Sequence, residues 1–545
     1  MLCQGELKAV PDLRLNELDE RQRLAGRGAA GRRPSARLGW DADRARAAAR
    51  KAAAIAGPRA LWRDHRLFTI LVVASLVPRV LASLAFRPAL LSSDSFWYMR
   101  DAATGKLDQI RPSGYSFFLS LMHVFPAPLL AVTTVQHLMG IAIAAIVYGL
   151  LRYWGLPAWG AALLTIPLLL DSRQIALESY ILPDTLYCLA IMVVVALLIT
   201  KSTPRLWQCA LAGLLLAYVS VLRGNGFPLA LVTAAYLLIR RVGWRAVTAG
   251  VVAFAVPVLW YVLSFHAAYG QYNITSSDGL FLWSRTTTFA NCAIIKPPPN
   301  LVPLCPNKAI LPPVKVPVTS TPALVKGPTP ANYLWAPQAW WRHDAHPGFN
   351  AYNDKLGMQF ALDAIKAQPF AYLRASAKDA MQLLLTNDRP QNTDAMAFTR
   401  TPRVPVLPAT FAQDITMYTG AVSNTHPVQP YAYFMYIYQL PVYFPGVVFF
   451  AVLVAGLVGM VRKWRQWGGP AALPWTLAVL SIVLPALLTQ SFYRYDLAAV
   501  PLACVAAGLA FIRPRAQPSR APAAAAAAAA AQPAAVSAER PGQPD

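Results

Sequence analysis

From Leu67 almost to the C-terminus, long apolar runs alternate with short polar interruptions. A helix needs about 20 apolar residues to cross the hydrocarbon core of a bilayer. Runs of that order lie at 67–87, 128–151, 157–171, 184–200, 206–222, 227–240, 245–265, 434–461, 471–489 and 496–512. They predict about ten transmembrane helices, because a spanning segment must satisfy its backbone internally. The third run is short, so it either tilts or continues through Gln174–Tyr180. The fold class that follows is an all-α polytopic membrane protein.

The polar interruptions set the topology. With the N-terminus inside, the short inner loops carry Arg152, then Lys201 and Arg205, then Arg240, Arg241 and Arg245, then Arg462, Lys463 and Arg465, and finally Arg513, Arg515 and Arg520. Basic inner loops are what insertion favours, so both termini are expected in the cytoplasm. The outer segments are then 88–127, 172–183, 266–433 and 490–495, with the turn Arg223–Gly226. This divides the chain into a basic, disordered extension (1–65), an N-terminal transmembrane module (66–265), an external loop domain (266–433), the C-terminal transmembrane helices (434–512) and a disordered Pro/Ala-rich tail (513–545). Part of Asp41–Ala54 is a candidate lipid-surface helix. Residues 296–330 hold eleven prolines, which excludes regular helix or central strand there; the external domain is expected to be mixed and irregular.

Composition agrees. The chain has 545 residues, 56% hydrophobic and 14% charged, against about 25% charged in soluble domains. The net charge of +24 sits mostly in the N-terminal segment and inner loops, and without a recognition motif it does not point to nucleic acid. Cys188, Cys209 and Cys504 fall in apolar runs and read as small buried hydrophobes. Cys292 and Cys305 share the largest outer loop and are a candidate disulfide. His343 and His346 lack a third ligand at recognisable spacing, so they do not make a metal site. The aromatics of Tyr431–Phe444 read as an interfacial belt.

The chemistry-bearing residues gather in the outer segments. In Ser92–Ala102, SSDSFWYMRDA, helical spacing places Asp94, Trp97 or Tyr98, and Asp101 on one face. Asp94 there is either part of a helix cap or a carboxylate able to take a proton from a hydroxyl. RPSGY follows at 111–115. The second outer segment holds Glu178 and Asp184, the turn LRGNG holds Arg223, and the last outer turn holds Arg494 and Tyr495. Arginines outside oppose the insertion bias and call for another reason. Arg79, inside the first run, either snorkels to the outer headgroups or lines a lipid-phosphate groove.

The order of these elements resembles the integral-membrane glycosyltransferases of the C-type fold, relatives of protein O-mannosyltransferases and lipid A aminoarabinose transferases. Asp94 with Tyr98 is similar to a D-x-x-x-Y pattern in the first outer loop, RPSGY to a Pro-Gly-Tyr-like element, ILPDTLY at 181–187 to the acidic element of the second loop, LRGNG at 222–226 to an R-x-x-G element, and RYDLAAVP at 494–501 to a late R-Y followed by proline. The resemblance covers about 67–265 and 434–512. It departs where Ser95 follows Asp94, since family members often have two adjacent acids, and in the unmatched insert 266–433.

The resemblance implies a sugar transferred from a polyprenyl-phosphate donor to an acceptor hydroxyl at the outer face of the plasma membrane. It implies an inverting single displacement with Asp94 as base. Arg111, Arg223 and Arg494 would hold the lipid phosphate. Tyr98, Tyr115 and Tyr495 would contact donor or acceptor. Glu178 and Asp184 would orient the acceptor, bind a divalent ion, Mg or Mn, or pair with an arginine, and Asp101 is a further acceptor or metal candidate. The acceptor would be a glycan, glycolipid or protein. The competing readings are a transporter or flippase of lipid-linked sugars, whose charges would sit within broken spans, and a scaffold whose external domain binds a partner.

Overall fold

The computed structural model describes residues 58–201, 203–306, 329–385, 397–400, 407–462, 469–491 and 493–512. The expected N-terminal extension up to residue 57, the centre of the Pro-rich arm (307–328) and the tail after 512 lie outside the described residues. Each of the ten apolar runs is helical. In chain order the first are α1 (Pro58–Ala85), β1 (Phe86–Arg87), α2 (Ser93–Thr104), α3 (Gly114–Met122), α4 (Pro128–Trp154), α5 (Ala158–Leu163), α6 (Ile166–Leu170), α7 (Ser172–Ser179), α8 (Asp184–Ile199), α9 (Leu206–Leu222), α10 (Gly226–Ile239) and α11 (Trp244–Tyr269). Next come α12 (Asp278–Thr286), α13 (Cys292–Ile295), α14 (Pro330–Trp335), α15 (Ala351–Ala367), α16 (Pro369–Leu385) and α17 (Ala409–Thr419). The chain ends with β2 (His426–Pro427), α18 (Tyr431–Tyr438), α19 (Gly446–Arg462), α20 (Ala472–Leu488), α21 (Tyr493–Asp496) and α22 (Ala499–Ala510). The described residues from His65 to Ile512 form one unit of contacts.

Among the described residues, three helices are long and apolar enough to cross a membrane: Trp62–Ala85, Pro128–Trp154 and Trp244–Tyr269. Helices α5 and α6 join α7 as a pair bent by 49° that passes the same test together. The helices at 184–199, 206–222, 226–239, 446–462, 472–488 and 499–510 are apolar but shorter, so length alone does not make them spans. The third run therefore does continue beyond its break, and 172–179 is a buried helix rather than an outer loop. The run at 434–461 is divided: α18 stops and α19 starts around Pro441 and Pro445, which cannot continue a helix interior.

The described part of 266–433 is helical with irregular stretches between the helices, and its strand β2 pairs antiparallel with β1, Phe86 opposite Pro427 and Arg87 opposite His426. This segment has its own apolar core, including Leu280, Trp283, Leu304, Trp341 and Phe360. Cys292 and Cys305 are joined by a disulfide, and Trp283 donates from Nε1 to the Leu304 carbonyl at 2.9 Å. The larger core is formed by the apolar helices, and Cys188, Cys209 and Cys504 are buried free thiols.

Candidate functional site

Helix α2 is started by serines. The Ser92 N–H donates to Ser95 Oγ at 3.0 Å, and Ser95 Oγ donates to the Ile181 carbonyl at 2.9 Å. Asp94 is not needed for the cap. Ser95, where the resemblance expects a second acid, ties α2 to the segment before α8. That segment also pairs with Leu90: Leu90 N donates to Ser179 O at 3.0 Å and Ile181 N to Leu90 O at 3.1 Å.

With the cap supplied elsewhere, the Asp94 carboxylate is held between two arginines. Arg111 Nη2 donates to Oδ1 at 2.5 Å and Arg494 Nη2 to Oδ2 at 2.7 Å. Burial pushes Asp94 up, but the two guanidinium groups outweigh it and hold the carboxyl well below the usual range. A second pair lies beside this one: Arg223 Nη2 donates to Asp184 Oδ1. The Tyr495 ring joins them, 4.6 Å from the Arg223 guanidinium carbon and 5.2 Å from that of Arg494. Tyr98 is buried among these charges. Burial and Asp94 push its phenol up, against Arg111, Arg494 and Arg223. Asp94, Tyr98, Arg111, Asp184, Arg223, Arg494 and Tyr495 thus form one cluster.

The local sequence explains how it assembles. Gly114 of RPSGY allows α3 to abut α9, since a Cβ there would lie 2.5 Å from the Val221 carbonyl oxygen. This brings Arg111 toward the turn that carries Arg223. The turn before α21 is held from the external segment: Ser491 N donates to Asp379 Oδ2 at 2.8 Å and Ala331 N to Gln490 Oε1 at 3.3 Å. Trp97 and Trp335 flank Arg111, at 5.9 and 6.0 Å from its guanidinium carbon. Asp379, Gln490 and Trp335 carried no motif that could have marked them in the sequence.

The arginines are under-used. Among the described residues, Arg111 Nη1, Arg494 Nε and Arg494 Nη1 are buried donors without a partner. Such groups cost stability unless something accepts from them. Three arginines against two carboxylates also leave the cluster electropositive. It suits an oxyanion with several oxygens, such as a phosphate.

The other candidates lie elsewhere. Tyr115 is fully buried and its hydroxyl donates to Gln136 Oε1 at 2.8 Å, so it supports the site from beneath. Asp101 turns to Arg100, at 3.3 Å, and Asp108 lies 3.8 Å from the same guanidinium. Burial and the neighbouring Asp108 carboxylate push Asp101 up to about 7. Glu178 takes the arginine-pairing alternative. Arg79 Nε and Nη2 donate to it at 2.9 Å each, Gln174 Nε2 donates at 3.1 Å, and His137 Nδ1 lies 2.9 Å away. Those contacts fill both oxygens. Arg79 is 2% exposed and paired inside the helices, so it neither snorkels nor lines a phosphate groove. His343 is exposed and bonded to the Pro337 carbonyl.

Among the described residues no three His, Cys, Asp or Glu side chains group as ligands, and Asp94 and Asp184 are both engaged by arginines. No protein-family model and no curated protein matches the chain. Among solved structures it is similar to the crystal structure of ArnT from Cupriavidus metallidurans bound to undecaprenyl phosphate, at 13% identity over 81% of this chain and 76% of that one, with a TM-score of 0.32. A likeness at that level decides neither the fold family nor the chemistry.

Proposed function

We propose that the chain is a membrane glycosyltransferase that moves a sugar from a polyprenyl-phosphate donor to an acceptor hydroxyl, at the outer face of the plasma membrane and with both termini in the cytoplasm. The observation that carries this reading is the pair Arg111 and Arg494, which share one carboxylate and keep further buried donors unpaired. The order of the sequence motifs supports it.

In the free protein Asp94 is a poor base, because both of its oxygens are bound to arginines. The lipid phosphate competes for the same two arginines. Once they turn to it, Asp94 loses their stabilisation and regains basicity. It then accepts the proton of the acceptor hydroxyl as the acceptor oxygen bonds to the anomeric carbon. The bond from that carbon to the phosphate oxygen breaks, and the leaving lipid phosphate carries the released charge onto Arg111, Arg494 and Arg223. The configuration at the sugar carbon is inverted. The acceptor is a glycan, a glycolipid or a protein.

One feature favours transport instead: the bent pair α5–α6/α7 with the buried Arg79–Glu178 pair, since transporters place charges on broken spans. The full satisfaction of that pair argues against its taking a substrate.

The test is transfer from radiolabelled polyprenyl-phosphate sugars to membrane extract, wild type against Asp94→Asn. Loss of a general base should lower the rate about 10²–10⁴-fold, with folding and donor binding retained. Equal rates would remove Asp94 as the base. Export of the donor across vesicles without transfer would favour the transport reading.

A further inference from the structure

Two buried polar atoms beside Arg223 have no protein partner among the described residues: Asp184 Oδ2 and the Tyr187 hydroxyl. Both side chains belong to the first turn of α8, three positions apart and so on one face. Asp184 is 3% exposed and Tyr187 1%. Asp184 Oδ1 is taken by Arg223, whose guanidinium carbon lies 5.5 Å from the Tyr187 ring. The two atoms therefore border the arginine cluster without being used in it.

Their chemistry restricts what completes them. A carboxylate oxygen only accepts, while a phenol donates or accepts. An anion would be repelled by Asp184, and Arg223 disfavours a cation. A neutral ligand with adjacent hydroxyls satisfies both atoms. One hydroxyl donates to Asp184 Oδ2 and its neighbour bonds with the Tyr187 oxygen. Phenylalanine at 187 would fill the same space without the unmade bond, so the hydroxyl is a cost to the free protein.

We infer that Asp184 and Tyr187 form a subsite that recognises the hydroxyls of a sugar ring, next to the arginines that receive the phosphate. The inference rests on the proposed transferase reading and assigns the part of the site that meets the sugar. In the sequence Tyr187 stands only as the last residue of ILPDTLY, three positions after Asp184.

Tyr187→Phe removes one oxygen, and its unfolding midpoint is compared with wild type in nanodiscs without ligand. Binding is then measured with decaprenyl phosphate and with decaprenyl-phosphate mannose, glucose and arabinose. The expected midpoint is higher than wild type. Affinity for the preferred sugar-bearing lipid should fall about threefold to tenfold, as for one lost hydrogen bond, while decaprenyl phosphate binds within about twofold of wild type. If donor affinity holds and the KM for acceptor in membrane extract rises instead, the subsite takes the acceptor's sugar and the inference stands. A lower or unchanged midpoint, or equal losses for bare and sugar-bearing lipid, makes the hydroxyl structural and overturns it. Wild type that binds bare decaprenyl phosphate but gains nothing from any sugar overturns the subsite alone. Wild type that binds none of these lipids overturns the transferase reading as well.

Discussion

Two buried arginine–carboxylate clusters among the described residues, around Arg79–Glu178 and around Asp94, differ in how completely they are satisfied. In the Arg79–Glu178 cluster, all five guanidinium N–H groups find acceptors: two on Glu178 and three on the carbonyls of Ser75, Leu168 and Leu169. Gly140 lets the Glu178 carboxylate approach so closely that a Cβ there would fall 1.9 Å from Oε1. Around Asp94 the same residue types leave three guanidinium nitrogens without partners among the described residues. Burial and charge are shared by both clusters; unpartnered guanidinium nitrogens are not, although His137 Nε2 beside Glu178 is a buried atom without a partner among the described residues. A closed cluster holds helices together, and an open one waits for a ligand.

The largest effect that would break this contrast concerns Glu178. Glu178→Gln keeps the shape but leaves the Arg79 charge uncompensated in a buried setting, a change that typically costs about 3–5 kcal/mol. Thermal unfolding of the purified variant should show a marked loss. The loss should spread to transfer activity, because the residues just after Glu178 carry the backbone bonds to Leu90 and the acceptor for Ser95. A variant that melts with wild type would return Glu178 to the ligand candidates.

Arg494 should behave in the opposite way. Arg494→Gln removes one partner of Asp94 and two unpartnered nitrogens. Transfer is expected to fall about 10²–10³-fold, the usual loss when one electrostatic donor to a transition state is removed. The unfolding midpoint should move far less than for Glu178→Gln. Arg494→Lys should recover part of the rate, since it keeps the charge but not the fork. If Arg494→Gln instead unfolds the protein while residual folded material keeps its rate, the two clusters are of one kind.

What was legible in the sequence followed from local patterns. Apolar runs became helices, and the four segments contributing Asp94 with Arg111, Asp184, Arg223 and Arg494 stood out as charged interruptions between them. Pairing was not legible, because Arg494 and Asp94 are 400 positions apart and no periodicity relates them. The burial of Glu178 was not legible for a physical reason. The stretch SRQIALES is polar enough to resemble a loop, yet it is buried, with Arg79, 99 positions away, supplying the charge that makes burial tolerable. The helices of the external segment were hidden behind the prolines that precede them.

Asp101 provides the finest division between the two kinds of cluster, because it is acidic, buried and only loosely paired. Burial and Asp108 push it up to about 7, against the pull of Arg100. The folded protein then keeps a proton that the unfolded chain loses near pH 4. Stability therefore falls as pH rises from about 4 to about 7, the range where the folded state binds more protons. Asp101→Asn removes this dependence. It should melt a few degrees above wild type at pH 8, with the difference closing below about pH 3, where both side chains are neutral in the folded and unfolded states. Asp94 contributes with the opposite sign, since its folded carboxyl is held low, but it is present in both proteins and cancels from the difference. A variant that melts below wild type at pH 8 would mean that Arg100 holds the ionised Asp101 firmly, placing it with the closed Arg79–Glu178 cluster rather than between the two.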